Sequence, residues 1–345
     1  MKGKARKALV VGGGMAGLEA ALKIGQAGHE VILVEKEANL GGTALLLSST
    51  FPKWQDPLEK LNLKLEQLKK LPAVEVYTNT EISSCTPNGS GYSLTLRNNL
   101  TGEETGVEAQ AAVLATGFDY FDARKYGEYG YGTYPGVMIS IEFEEMLREW
   151  KKGLKREKAP GAVAFIKCVG SRDRIKGYPY CSKICCMYTA RQAGMFKELF
   201  PQASCYIFYM DYRAAGKDYE EFVRSVMEEK EVRYVRGRPA KVLPYGGKLM
   251  VRSEDTLMGV PIEVEVDLVV LAAAAVPKKE TLELAKSFAA ATNQHGFLEP
   301  VDGFTAKAGT RVFFAGGCGF PTDSAGAQQQ GAAAAAEVIA LFNQD

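Results

Sequence analysis

The sequence predicts an α/β protein made of two parallel-sheet units, and three observations predict it. A strand-like run at 7–11 passes through a glycine-rich turn into a helix pattern and then a second strand at 31–34. The strand–helix–strand series returns at 162–210, well after the first. The 345-residue length is generous for one core and suits two domains of ordinary size.

Composition narrows the class. Hydrophobic residues make up 46% and charged residues 24%, with a formal net charge of +1, as in a globular enzyme. There is no basic excess and no Lys/Arg stripe, which argues against a nucleic-acid partner. The longest apolar run, 268–276, is too short to span a bilayer, so no membrane insertion is expected. The opening MKGKARKALVVGGG has the charged head of a leader, but three glycines and then Glu19 interrupt its apolar core. Seven cysteines without an export signal point to a reducing, cytoplasmic compartment and to thiols used as ligands or reactants.

In chain order, the strand at 7–11 is followed by Gly12-x-Gly14-x-x-Gly17, a helix over 15–27 and a strand at 31–34 ending in Glu35. This is the βαβ dinucleotide fingerprint with an acid at the expected distance. Gly12 makes the tight turn, Gly14 lets the backbone approach a pyrophosphate, and Gly17 lets helix and strand pack closely. The free N–H groups of the helix start, at Met15 and Ala16, favour an anion. Glu35 accepts hydrogen bonds from a ribose, and Lys36 follows it. Residues 74–107 read as a meander of short strands. Cys85, alone in that segment, is a small buried or surface residue.

From Phe118 to Tyr134 the composition turns aromatic and glycine-rich, which marks the passage into a second domain. Ser140 is the expected N-cap of a helix over 141–150, with Glu142 and Glu144 in its first turn. The charged stretch 151–158 reads as a solvated loop. A strand at 162–167, a helix from about 183 to 199, a strand at 205–210, a helix at 219–229, a hairpin around 244–247 and a strand at 267–271 complete the domain. Neither His29 nor His295 stands beside a motif, which disfavours histidine acid–base catalysis.

Distinctive chemistry concentrates at 168–191. Cys168, Cys181, Cys185 and Cys186 fall within nineteen residues, spaced C-x12-C-x3-CC, at a strand end and the start of the following helix. That crevice is where α/β sheets hold ligands. Four thiolates at a helix N-terminus suit an iron–sulfur cluster. A structural zinc site and a reactive Cys185–Cys186 pair are the alternatives.

Three further stretches carry a resemblance: Gly41-Gly42-Thr43, Ala115-Thr116-Gly117, and Ala315-Gly316-Gly317 with the small-residue helix at 324–341. In this order they resemble the two-dinucleotide-binding-domain flavoproteins, the group of thioredoxin and glutathione reductases. The resemblance implies FAD in a domain of residues 1–118 and 278–345. A NAD-domain-like module, 119–277, would be inserted in it. It further implies that Gly42, Thr43, Ala115, Thr116, Gly117, Gly316, Gly317, Cys318, Ala327 and Gln328 line the FAD, with Ile82 near the adenine. Two features of that group are missing. No cysteine pair follows Gly42-Thr43, which runs into Ala44-Leu45-Leu46-Leu47, and the second domain lacks its glycine fingerprint. The cysteine stretch stands in its place.

A sharper resemblance rests on Cys168-Val169-Gly170-Ser171-Arg172-Asp173, on Tyr180-Cys181-Ser182-Lys183-Ile184-Cys185-Cys186-Met187-Tyr188 and on Ala315-Gly316-Gly317-Cys318-Gly319-Phe320-Pro321-Thr322-Asp323. These look like the family of A-type subunits of heterodisulfide reductase. The resemblance implies a 4Fe-4S cluster on the four cysteines close to FAD, electron transfer to B- and C-like partner subunits, and a homodimer. It also implies a flavin-directed cation at Arg191, which lies roughly 7.5 Å along the helix from Cys186. A surface arginine is the alternative there. Methanogen-type members carry an extra amino-terminal cluster domain and ferredoxin motifs that this sequence lacks, and Phe51-Pro52 runs into KWQDPLEKLNL without the family's cysteines. The chain therefore resembles the compact version found in heterodisulfide-reductase-like complexes of sulfur-oxidising prokaryotes. The functional rivals are a stand-alone NAD(P)H-dependent disulfide reductase using Cys185 and Cys186, and a structural FAD-binding protein with zinc.

Overall fold

The computed structural model describes residues 6–155 and 159–344. Residues 1–5 of the leader-like start and 156–158 of the charged stretch lie outside them. The chain forms two compact units. The first runs up to Leu45, from Leu58 to Asp119 and from Val276 onward; the second comprises Leu46–Pro57 and Tyr120–Ala275.

The first unit is built on a six-stranded sheet ordered Lys307–Gly309, Val312–Phe314, Ala111–Leu114, Lys7–Val11, Glu30–Val34, Val74–Tyr77. All neighbours are parallel except the first pair. The central strands KALVV and AAVL are almost continuously apolar because both faces are covered. Val74–Tyr77 departs from the expected meander. The helix Pro57–Lys69 supplies the crossover a parallel neighbour needs, so this strand pairs with Glu30–Val34. The meander proper is Thr80–Asn88, Gly91–Asn98 and Glu104–Ala109. Helices Met15–Gln26 and Ser324–Gln344 pack closely, since a Cβ on Gly331 would stand 2.2 Å from the Ala16 carbonyl oxygen. His29 is buried edge-on against Phe342, with ring centroids 5.0 Å apart.

The second unit carries a five-stranded, all-parallel sheet ordered Arg233–Arg236, Ser204–Tyr209, Ala162–Val169, Leu268–Ala273, Val137–Ile139. An antiparallel sheet of Lys241–Tyr245, Lys248–Asp255 and Val260–Val266 completes it. Phe143 on helix Ser140–Lys151 meets Phe165 edge-to-face at 5.3 Å, and Phe196 of helix Cys185–Leu199 closes the same core. Cys205 is buried in that core.

Three local expectations are corrected. The N-cap of Ser140–Lys151 is Ile139, not Ser140: Glu142 reaches back to the Ile139 N–H at 2.8 Å, while the Ser140 hydroxyl donates to the Leu271 carbonyl. The cysteine helix begins at Cys185 rather than near 183, because Lys183 adopts a left-handed φ of 59° that cannot continue a helix. The segment Leu46–Pro57, which follows Gly42-Thr43, is part of the second unit. There Phe51 packs on Tyr219 at 5.3 Å and Trp54 on Phe222 at 4.9 Å. Gly194 leaves room for the indole, since a Cβ there would stand 2.5 Å from Trp54.

Candidate functional site

In the first unit the fingerprint glycines differ in what surrounds them. Gly12 has a left-handed φ of 105°, and a Cβ on it would stand 2.4 Å from the Ala115 carbonyl oxygen. A Cβ on Gly17 would stand 1.8 Å from the Gly12 carbonyl oxygen, the close helix–strand approach that only glycine permits. Around Gly14, in contrast, nothing lies within 4 Å of such a Cβ. The helix that starts there has no side-chain cap and no acid in its first turn, so its N–H groups point into that open space. This is the cradle geometry a pyrophosphate requires.

Around the cradle the other expected residues converge in part. Gly14 forms a bridge to Gly41, next to Gly42, and a Cβ on Gly316 would approach Ala16 at 2.9 Å and Ala327 at 3.8 Å. The Gly316 N–H donates to Gln330 Oε1 at 2.8 Å, so Gln330 joins the group without having been expected. Glu35 is buried and accepts from the Gly13 N–H at 2.7 Å and the Glu37 N–H at 2.9 Å. Thr116 and Thr281 share a hydrogen bond of 2.6 Å, and Lys36 pairs with Glu280 at 2.9 Å. Cys318 is wholly buried, its thiol donating to the Leu114 carbonyl at 3.2 Å. Ile82 packs, partly buried, against the core of Leu9, Val11 and Val34.

In the second unit, strand Ala162–Val169 loses its regular register against Leu268–Ala273 between Ile166 and Val169. φ is positive at Cys168, Gly170 and Arg172, every second residue, so the chain bends sharply where the strand ends, and the Arg172 and Asp173 N–H groups donate to the Tyr180 and Tyr178 carbonyls. In a regular strand consecutive side chains point to opposite faces. Here Lys167 and Cys168 both reach the first turn of the next helix: Lys167 Nζ donates to Cys186 Sγ at 3.3 Å, and Cys168 hydrogen-bonds Cys185. The loop between them folds back on itself through Arg172 N–H to Tyr180 O at 2.9 Å and Ser171 Oγ to Ser182 Oγ at 2.6 Å. Cys181 is thereby held at the loop's end, its Sγ accepting from the Lys183 N–H at 3.3 Å.

The electrostatics of the thiols follow from this arrangement. Cys185 stands between Cys168 and Cys186, and sharing its hydrogen with them, in a fully buried position, holds its own pKa well up. The same hydrogen bond draws the Cys168 pKa down against the cost of burial. Cys186 is also drawn down, first by Cys185, then against burial by the Lys167 ammonium and the Arg213 backbone N–H. Two thiolate-prone sulfurs sit at an uncapped helix start. Arg172, which also faces Cys168 and Cys181, is itself paired bidentately with Asp211 at 2.7 and 2.9 Å.

Among the described residues no three His, Cys, Asp or Glu side chains stand grouped as a metal site. The four cysteines fall at the end of strand Ala162–Val169, on the loop that follows and at the start of helix Cys185–Leu199, and four thiolates are the donor set an iron–sulfur cluster takes. A buried polar atom also lacks a partner here: the Tyr234 hydroxyl, whose pKa is raised by burial and then by Cys186.

Arg191 is not a surface residue. It is buried on the helix Cys185–Leu199, and its guanidinium is bonded to Glu144 and to Ser48 Oγ at 2.9 Å. Lys167, Tyr234 and Glu144 are absent from the residues expected by motif. The one sequence signal was Lys167 itself, a charge inside the apolar run AVAFIKCV.

Residues 6–151 match the family model described as pyridine nucleotide-disulphide oxidoreductase. The second A-type iron–sulfur subunit of the CoB–CoM heterodisulfide reductase of Methanopyrus kandleri is 33% identical over 96% of this chain and 63% of its own length. The chain is a relative of the A-type subunits of heterodisulfide reductase. Another of these, from Methanocaldococcus jannaschii, is 32% identical over 89% of this chain and 59% of its own length. The chain thus spans about three fifths of the curated relatives it matches. Among solved structures, T. acidophilum thioredoxin reductase superimposes with a TM-score of 0.66 at 15% identity, over 97% of this chain and 98% of that one. Lactococcus lactis thioredoxin reductase gives 0.64 at 16% identity, over 99% and 100%. The fold is therefore the thioredoxin-reductase-like α/β fold with two Rossmann-like domains.

Proposed function

We propose that the chain is the FAD- and 4Fe-4S-carrying electron-transfer component of a heterodisulfide-reductase-like oxidoreductase. The observation that carries the reading is the replacement of a second nucleotide fingerprint by Cys168, Cys181, Cys185 and Cys186 at the strand end and helix start of the second unit. When bound, the flavin would exchange electrons in pairs or singly and the cluster singly. The open face at Gly14 and the uncapped helix start would hold the pyrophosphate. Gly42, Thr43, Ala115–Gly117, Gly316, Gly317 and Cys318 would complete the FAD site. The four cysteines would ligate the cluster.

Arg191 enters this reading as a positioning residue. Its guanidinium is spent on Glu144 and Ser48, so it fixes the segment that follows Gly42-Thr43. B- and C-like subunits as electron partners, a homodimer, a cytoplasmic site of action and a role in sulfur-compound oxidation belong to the same proposal. The relatives' being subunits of a heterodisulfide reductase supports the partner subunits. No described helix is long and apolar enough to cross a membrane.

The decisive experiment is anaerobic purification with assays for iron, sulfide and FAD. The proposal expects about one FAD and four irons per chain. A yellow protein that stays free of iron after reconstitution overturns the cluster. Rapid flavin bleaching by NAD(P)H together with disulfide reduction in the absence of any partner would instead favour a stand-alone reductase using Cys185 and Cys186.

A further inference from the structure

Lys167 occupies a position that apolar packing alone does not explain. It belongs to a strand otherwise composed of Ala, Val, Phe, Ile and Cys, and only 4% of its surface is exposed. Burying an ammonium is costly unless its environment returns the lost hydration. Three groups do so. Cys186 Sγ accepts a hydrogen bond from Nζ at 3.3 Å, and the rings of Tyr209 and Tyr234 receive it at 5.3 and 5.9 Å from their centroids. Both rings present π faces to the cation, an attraction that strengthens where water is excluded.

The charge balance nearby gives the arrangement a direction. Asp211, the neighbouring carboxylate, is taken bidentately by Arg172. Among the described residues no ion pair joins Lys167 to a carboxylate; Asp211 acts on it only from a distance, and the atom that accepts its hydrogen bond is the Cys186 sulfur. The strand irregularity between Ile166 and Val169 is what turns Lys167 and Cys168 toward one helix start. A regular strand would send them to opposite faces. The Tyr234 hydroxyl, buried and unpartnered, is a second donor in the same pocket.

We propose that Lys167, caged by Tyr209 and Tyr234, is a tuning residue for the group held at Cys186: it raises the reduction potential of a cluster bound there. This rests on the reading of the four cysteines as cluster ligands. Uptake of one electron from a reductant makes a thiolate-ligated cluster more negative by one charge. A fixed cation hydrogen-bonded to a ligand sulfur stabilises that state more than the oxidised one. The cage prevents the ammonium from swinging away to solvent.

The test uses the full chain, reconstituted anaerobically as wild type, K167M, K167Q and K167R. Iron and sulfide are counted first, and the midpoint potential is then read by a dithionite titration followed by EPR. With equal iron content, K167M is expected to be at least tenfold harder to reduce, a fall of about 59 mV for one electron. K167R is expected to stay near wild type and K167Q to lie between. Should K167M fail to take up iron, the K167Q and K167R midpoints decide by the same ordering. Equal midpoints in loaded variants overturn the tuning role and leave the cluster reading intact. A wild-type chain that takes up no iron overturns the reading of the cysteines, and the tuning role with it.

Discussion

Arg191 and Glu144 form an ion pair in the interior of the second unit, and Ser48 completes it from a distant part of the sequence. Glu144 accepts the Ser48 N–H at 2.9 Å and Gln192 Nε2 at 2.7 Å, while Arg191 donates to the Ser48 hydroxyl. Burial works to raise the Glu144 pKa, but the Arg191 charge and these hydrogen bonds outweigh it, and the carboxyl titrates below its ordinary range. The pair thereby anchors Leu46–Pro57 in the second unit.

Removing one partner of this pair leaves a buried charge without compensation. R191M is expected to lower unfolding stability by about 3–5 kcal/mol, and R191M/E144Q, which removes both charges and keeps an acceptor for the buried donors, to recover part of that loss. Denaturant titration of the two variants beside wild type measures it. Equal losses in the single and double variants would show that packing, not charge, dominates at this site.

Asp173 gives a pH signature. Its carboxylate accepts from the Tyr126 hydroxyl, from the Ile175 and Lys176 N–H groups at 2.8 and 3.1 Å, and from Arg238 at 3.0 Å. The Tyr126 hydrogen bond is the largest of the effects holding its pKa well below the ordinary value. A depressed carboxylate contributes its stability above the unfolded pKa, about 3.9, and loses it as the pH falls toward the folded value. D173N is therefore expected to be less stable at neutral pH, and its stability to depend less on pH below about 4. Thermal unfolding of both chains across that range measures the difference.

The glycines of the fingerprint separate folding from binding. G14V directs its side chain into open space, so the unfolding midpoint should stay near wild type while dinucleotide affinity falls at least tenfold, about 1.4 kcal/mol. In G17A the usual helix gain over glycine of about 1 kcal/mol should be reversed, because the new Cβ meets the Gly12 carbonyl. FAD titration and denaturation of each variant give the two readouts.

The seven cysteines should divide four against three. Serine at 168, 181, 185 or 186 is expected to abolish the cluster's visible absorption after reconstitution. C85S and C205S are expected to retain it, since burial alone raises the Cys85 pKa to about 11 and Cys205 lies in the apolar core. C318S should also keep the cluster, because its thiol is bonded to the Leu114 carbonyl in the first unit. Absorbance and iron content of the seven single variants test the division.

The sequence by itself determined the α/β class, the glycine cradle and the cysteine cluster. Each rests on local spacing: helix and strand periods, a turn that only glycine makes, cysteines around one strand–helix junction. Tertiary structure alone decided the partners of charged side chains. Arg191 finds Glu144 across 47 positions and Ser48 across 143, and no period in the chain encodes those separations. The register of one strand decided that Lys167 meets Cys186 rather than the opposite face of the sheet. Local propensity places backbone, but a buried charge is placed by whichever counter-charge or sulfur the packed fold brings within about 3 Å of it.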